Sequence, residues 1–308
     1  MSDAAAVPQA ALTWAAGAVG SRARVSRVRR LAGGTHAATH LLLIDVPQTE
    51  VVLRRFPPRD PAPAREAAVL RALDGLDGRA PRLLAVDPEG RHCGAPAVLT
   101  TRVPGGADIR PADPEAAARG LAAALALVHA VPRARLSGLR DCLAAARSSS
   151  LRAGEDADEG PAAPVVAAHE ERLAREPRVL THYDYWSGNV LWEGSALSGV
   201  VDWSGAGSAP RGFDVSWCRL DLVLLHGPAL GHAVADAFRE AYESAARVEV
   251  SDLVLWDLFA LRNAYRSVTT WLPNYRGLGR TDLTEEDLRA RHTAWTAARL
   301  HAWREGRR

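Results

Sequence analysis

Residues 180–214, LTHYDYWSGNVLWEGSALSGVVDWSGAGSAPRGFD, hold the most specific arrangement of polar groups in the chain. His182, Tyr183 and Asp184 are followed by four residues and then Asn189, giving H-x-D-x-x-x-x-N. Two apolar strands are predicted next, at 190–192 and 197–201, and the second ends at Asp202. A hairpin of that size returns the chain, so Asn189 and Asp202 are expected to face one another as hard oxygen ligands. Asp184 is expected close by, on the preceding loop. Phosphoryl transfer needs this set of groups. Mg2+ takes oxygen ligands and keeps several waters, so one carboxylate and one amide oxygen plus triphosphate oxygens suffice. A separate carboxylate then orients the acceptor hydroxyl and takes its proton.

The elements that must position these groups fall into two kinds. Upstream, RVSRVRRLAGGTHAATHLLLIDV predicts two strands around a Gly33-Gly34 turn, and TEVVLRRF a third that Pro57-Pro58 ends. Ala67, Leu70, Leu73 and Leu76 then share one helical face. Two short strands follow at PRLLAVD and APAVLTT. Residues 1–101 thus read as a five-stranded sheet with one inserted helix. Residues 102–308 read as mainly helical, entered through a short hinge near 102–106. Asp113-Pro114 is an N-cap and first-turn pair, and Thr284 with Asp287 resembles a capping box. The predicted class is α+β.

H-R-D-x-x-x-x-N with a later magnesium-binding Asp is a protein-kinase pattern. Across 180–214 the chain resembles the aminoglycoside phosphotransferase family, small-molecule kinases of the protein-kinase-like superfamily. That resemblance implies a bilobal protein-kinase-like fold, with Asp184 as catalytic base, Asn189 and Asp202 as metal ligands and His182 as a brace of the catalytic loop. Asp214 resembles the buried acid that anchors the loop backbone from the next helix. In the N-terminal lobe, Arg54 stands where a basic residue contacts the α- and β-phosphates, and Glu66 where a helix glutamate pairs with it. Strand alternation allows only one of Arg54 and Arg55 to face the nucleotide. Gly33 and Gly34 would close over the nucleotide, and Thr100, Thr101, Arg102 and Val103 would run past the adenine. The implied cofactors are ATP, the default donor with GTP not excluded, and Mg2+. Trp203, beside a proposed metal ligand, and Trp271, Asn274 and Tyr275, in a break between C-terminal helices, are candidates for the acceptor pocket. Two departures from the family pattern stand out. Arginine replaces a frequent lysine at 54, and Trp203-Ser204 follows Asp202 in place of Phe-Gly.

Composition narrows the reading. The chain is 308 residues long, 47% hydrophobic and 24% charged, and its formal net charge is +2. Nothing in that balance calls for nucleic acid or an anionic membrane as partner. Every basic side chain other than histidine is arginine, so a phosphate that needs a cation must take it from arginine. Cys93, Cys142 and Cys218 are far apart and form no metal or disulfide pattern. The N-terminal stretch has Asp3 and no basic residue before Arg22, so it is expected as a short surface helix or disordered lead-in and not as a signal peptide. No apolar run is long enough to span a bilayer, and the cytoplasm is the expected location. Eleven residues separate Asp202 from Asp214 without an Ala-Pro-Glu, and Tyr183 replaces the arginine of H-R-D, which disfavours a protein substrate. The expected partner is a small hydroxyl-bearing acceptor: an antibiotic, sugar, nucleoside or amino alcohol. The alternative is a catalytically silent, kinase-like nucleotide-binding module. Resistance and metabolism are both open as the physiological role, and the sequence sets no oligomeric state.

Overall fold

In the computed structural model, which describes residues 7–31, 37–151 and 158–306, the N-terminal stretch is a helix, α1 (Gln9–Val19). It is the short surface helix expected there, with one face packed inward. Ala11, Ala15 and Ala16 are buried, and Ala11 and Ala15 pack into a core with Leu42, Ile44, Val51, Leu53, Ala97 and Leu99. Alanine four residues apart lets a helix approach a sheet closely while burying little area of its own. The sheet consists of β1 (Val25–Arg30), β2 (Ala38–Ile44), β3 (Thr49–Arg55), β4 (Leu83–Asp87) and β5 (Ala97–Thr101), in the order β1-β2-β3-β5-β4 with every pair antiparallel. Helix α2 (Ala62–Leu73) lies between β3 and β4 in sequence. Because side chains alternate along β3, Val51 and Leu53 join the α1 core while Arg54 points to the opposite face.

The chain divides into two compact units. One is Met1–Pro104 with Val200–Gly205, and the other is Gly105–Gly199 with Ala206–Arg308. The second unit contains β6 (Gly106–Ala107), α3 (Pro114–His129), α4 (Cys142–Leu151), α5 (Ala163–Ala174), β7 (Arg178–Thr181), β8 (Val190–Glu193), all but the last residue of β9 (Ala196–Val200), and β10 (Gly207–Pro210). It continues with α6 (Gly212–Ala246), α7 (Leu253–Ala264), α8 (Leu272–Gly277) and α9 (Glu285–Glu305). Asp113 caps α3 by accepting from the Ala116 N–H, and Thr284 and Asp287 close a full capping box on α9. Helices α3 and α6 pack along each other, and α7 and α9 pack on α6. Gly227 (φ 75°) and Pro228 break α6 in its middle. The loop that carries Asp184 leaves β7, whose antiparallel partner β10 leads directly into α6. One short ladder therefore fixes both the start of the loop and the start of the helix beneath it. Among the described residues no helix is long and apolar enough to cross a membrane.

Candidate active site

The loop at 182–189 is held from below by one face of α6. Asp214, in the first turn of that helix, is fully buried. Its carboxylate accepts from the backbone N–H of His182 at 2.7 Å and of Tyr183 at 3.0 Å. Tyr183 has φ 77°, a conformation rare outside glycine that persists only where surrounding bonds enforce it. The two bonds to Asp214 are such bonds. A second line of support comes from α3. His129 Nε2 lies 3.3 Å from Asp214, its Nδ1 lies 2.6 Å from the Tyr242 hydroxyl, and Arg211 donates to that hydroxyl at 2.9 Å. Burial lowers the His129 pKa, with Asp214 opposing, so the ring is neutral at neutral pH. A neutral ring serves both partners when Nε2–H donates to Asp214 and Nδ1 accepts from Tyr242.

Asp221, two turns along α6 from Asp214, accepts from the Ser187 N–H at 3.1 Å, the Ser187 hydroxyl at 2.7 Å and the Tyr275 hydroxyl at 3.0 Å. Burial pushes its pKa up to about 6, against the pull of those three donors. Asp214 and Asp221 thus hold the loop at 182–183 and at 187. Between these points Asp184 is exposed. Its Oδ1 accepts from Trp217 Nε1 at 3.2 Å, and its Oδ2 lies 3.3 Å from the Asn189 amide nitrogen, which also donates to the Asp184 carbonyl at 2.9 Å. The amide nitrogen of Asn189 is committed to Asp184, so its oxygen is the group it can offer a cation. His182 is fully buried, edge-on to the Tyr185 ring at 5.8 Å.

The first unit holds a separate charged cluster. Arg54 is 8% exposed, donates to Glu66 Oε1, and donates to Asp202 Oδ1 at 2.7 Å. Burial works against the guanidinium's charge, but the two carboxylates more than offset it and raise its pKa. Burial pushes Glu66 up to about 7, with Arg54 opposing. Asp202 is a second non-glycine residue at positive φ, 65°, and the Ser204 hydroxyl donates to its Oδ1 at 2.9 Å. Thr100 and Val103 are buried. The Thr101 hydroxyl accepts from the Arg82 N–H at 2.9 Å, and Arg102 pairs with Glu50. Gly33 and Gly34 lie outside the described residues.

Two acceptor candidates are corrected. Trp203 is fully buried with its indole N–H donating to the Val200 carbonyl, so it packs the interior of its unit. Tyr275 is 2% exposed and its hydroxyl is spent on Asp221, so it supports the loop. Asn274 is exposed on α8, and Trp271 is half-buried against Trp217, ring centroids 5.2 Å apart. Trp217 and Asp221 did not stand out among the sequence candidates. The signal was present: 214, 217 and 221 fall at helical spacing on one face of α6.

Taken unit by unit, the Asp202 carboxylate in the first and the Asn189 amide oxygen in the second are oxygen donors of the kind magnesium takes. Among the described residues no group of three His, Cys, Asp or Glu could cage a metal by itself. A carboxylate and an amide oxygen are what a cation shared with nucleotide phosphates requires of the protein.

A macrolide 2′-phosphotransferase from Brachybacterium faecium is 19% identical with a TM-score of 0.56, over 93% of this chain and 96% of that one. Choline kinase from Streptococcus pneumoniae is 16% identical with a TM-score of 0.60, over 89% and 94%. An aminoglycoside phosphotransferase, APH(4)-Ia, solved in a ternary complex with AMP-PNP and hygromycin B, is 18% identical with a TM-score of 0.59, over 89% and 94%. At these identities the likeness is one of fold, a sheet-rich N-terminal region and a helical C-terminal part of the protein-kinase-like kind. No curated protein matches the chain. The model of the phosphotransferase enzyme family matches residues 27–251, and the chain belongs to that family.

Proposed function

We propose that the protein transfers the γ-phosphoryl group of ATP to a hydroxyl of a small molecule, with Asp184 as the base. The observation that carries this reading is an exposed carboxylate on a loop whose backbone is clamped by two buried acids, Asp214 and Asp221. Asp184 accepts a hydrogen bond from the acceptor hydroxyl and takes its proton as the phosphoryl group arrives. Asn189 and Asp202 are the proposed ligands of Mg2+, which when bound neutralises charge on the phosphates. Arg54 meets the α- and β-phosphates from one side of its guanidinium while Glu66 holds the other. Thr100–Val103 is the segment proposed to run past the nucleobase, and Gly33-Gly34 the turn over the phosphates. Trp271 and Asn274 remain as candidates on the acceptor side. The three cysteines are buried and form no disulfide with one another, which fits a reducing cytoplasm.

The acceptor hydroxyl is sought with γ-labelled ATP and Mg2+ against a panel of aminoglycosides, macrolides, sugars, nucleosides and amino alcohols. Label transferred to one class supports the reading and names the substrate. Nucleotide binding with no label on any acceptor and no phosphate released supports a silent binding module instead.

A further inference from the structure

Three residues on one face of α6 grip the loop at successive points. Asp214 holds the 182–183 backbone, Asp221 holds Ser187, and Trp217 between them reaches Asp184 itself. The first two bonds fix the backbone on either side of Asp184, and its side chain adds two further torsions. Two of the contacts that bear on the carboxylate rotation are given by its oxygens. Oδ2 meets the Asn189 amide at 3.3 Å, and Oδ1 meets the Trp217 indole N–H at 3.2 Å.

Trp217 is itself placed from two sides. It sits on the same helical face as the two buried acids, and its ring packs against Trp271 at 5.2 Å with an interplanar angle of 56°. Trp271 belongs to the segment that Tyr275, four residues on, ties to Asp221 at 3.0 Å. The indole therefore stands on a rigid base, half-buried, with its one donor aimed at the carboxylate.

We propose that Trp217 is a positioning residue for Asp184: its N–H fixes the carboxylate rotation that presents Oδ2 to the acceptor, and Trp271 holds the indole in place. This rests on the reading of Asp184 as base. Trp217→Phe is the informative change, because it keeps an aromatic ring, though a smaller one, against Trp271 and deletes the donor. A hydrogen bond to a charged group at this half-exposed position corresponds to about tenfold in rate.

Two measurements test the proposal, each in the full-length protein. The first needs no turnover. In 15N-labelled protein the Trp217 indole signal is identified by its loss in Trp217→Phe. It is expected to move in Asp184→Asn and, by ring-current loss and reorientation, in Trp271→Ala. The second uses MgATP with water as the probe acceptor, reading phosphate release. Trp217→Phe is expected to lower kcat about tenfold with the KM for ATP within about twofold and an unchanged melting temperature. An indole signal that ignores Asp184→Asn overturns the proposal at the geometry. A Trp217→Phe enzyme as fast as wild type overturns it at the role. Wild-type protein that releases no phosphate and labels no acceptor, while the indole signal still responds to Asp184→Asn, instead counts against Asp184 as a base, and the positioning role falls with it.

Discussion

Replacing Asp214 with asparagine isolates the bond set that holds the loop. The carboxylate, itself with no solvent exposure, accepts from two backbone N–H groups, at 2.7 and 3.0 Å, and lies beside His129. An asparagine of the same shape keeps one acceptor oxygen and turns its NH2 toward the other donor. One backbone N–H is then buried without a partner, and the surviving bond loses its charge. Each of these losses is about 1–3 kcal/mol, so the total is about 2–5 kcal/mol. Strain of about 1–3 kcal/mol at Tyr183, φ 77°, is released once the loop lets go, which favours local opening and offsets part of that total. Urea unfolding gives the total, and hydrogen exchange at the His182 and Tyr183 amides locates it. Asp184→Asn, at an exposed position in the same loop, is the control and is expected within about 0.5 kcal/mol of wild type. An Asp214→Asn protein as stable as that control, with both amides still protected, would refute the reasoning.

Three further outcomes follow from buried or constrained groups. Arg54→Met strands Glu66, 2% exposed, and is expected to cost about 3–5 kcal/mol, most of which Arg54→Met with Glu66→Leu recovers in urea unfolding. Asp221 is raised by burial to about 6, so the stability it contributes is present below the ordinary carboxylate range and lost as pH rises through about 6. Relative to Asp221→Asn, wild-type unfolding free energy is expected to fall by up to about 3 kcal/mol from pH 4 to pH 7. Gly105 has φ 92°, and a Cβ there would lie 2.4 Å from the Trp192 carbonyl oxygen, so Gly105→Ala is expected to lower the melting temperature while Gly106→Ala, with open space around it, changes it little.

What the sequence revealed divides along a physical line. His182, Asp184, Asn189 and Asp202 lie in one short segment, where reactive types at fixed spacing are conspicuous whatever the rest of the chain does. The α+β division was legible from period and punctuation, because strands alternate every second residue and Asp113-Pro114 and Thr284–Asp287 carry helix-start chemistry. The support beneath the loop was not. Trp217 is a half-apolar residue on a buried helix, and in sequence it reads as core. Asp221 draws its meaning from Ser187 and Tyr275, 34 and 54 residues away. Tyr275 and Trp203 looked like pocket residues because they sit beside polar or helix-breaking positions. Burial decided otherwise, and burial is a property of the packed chain. The packing of α1 was hidden for a related reason, since alanines show little amphipathic contrast against an alanine-rich background.

The central claim is that Asp184 takes the acceptor proton during phosphoryl transfer. The most direct test is transfer of label from γ-labelled ATP with Mg2+, in wild type and in Asp184→Asn, with nucleotide affinity measured in parallel. The account predicts that transfer falls by about 10²–10⁴-fold in the variant while the affinity for MgATP stays within about threefold. Asp184→Asn protein that transfers label at the wild-type rate would contradict it.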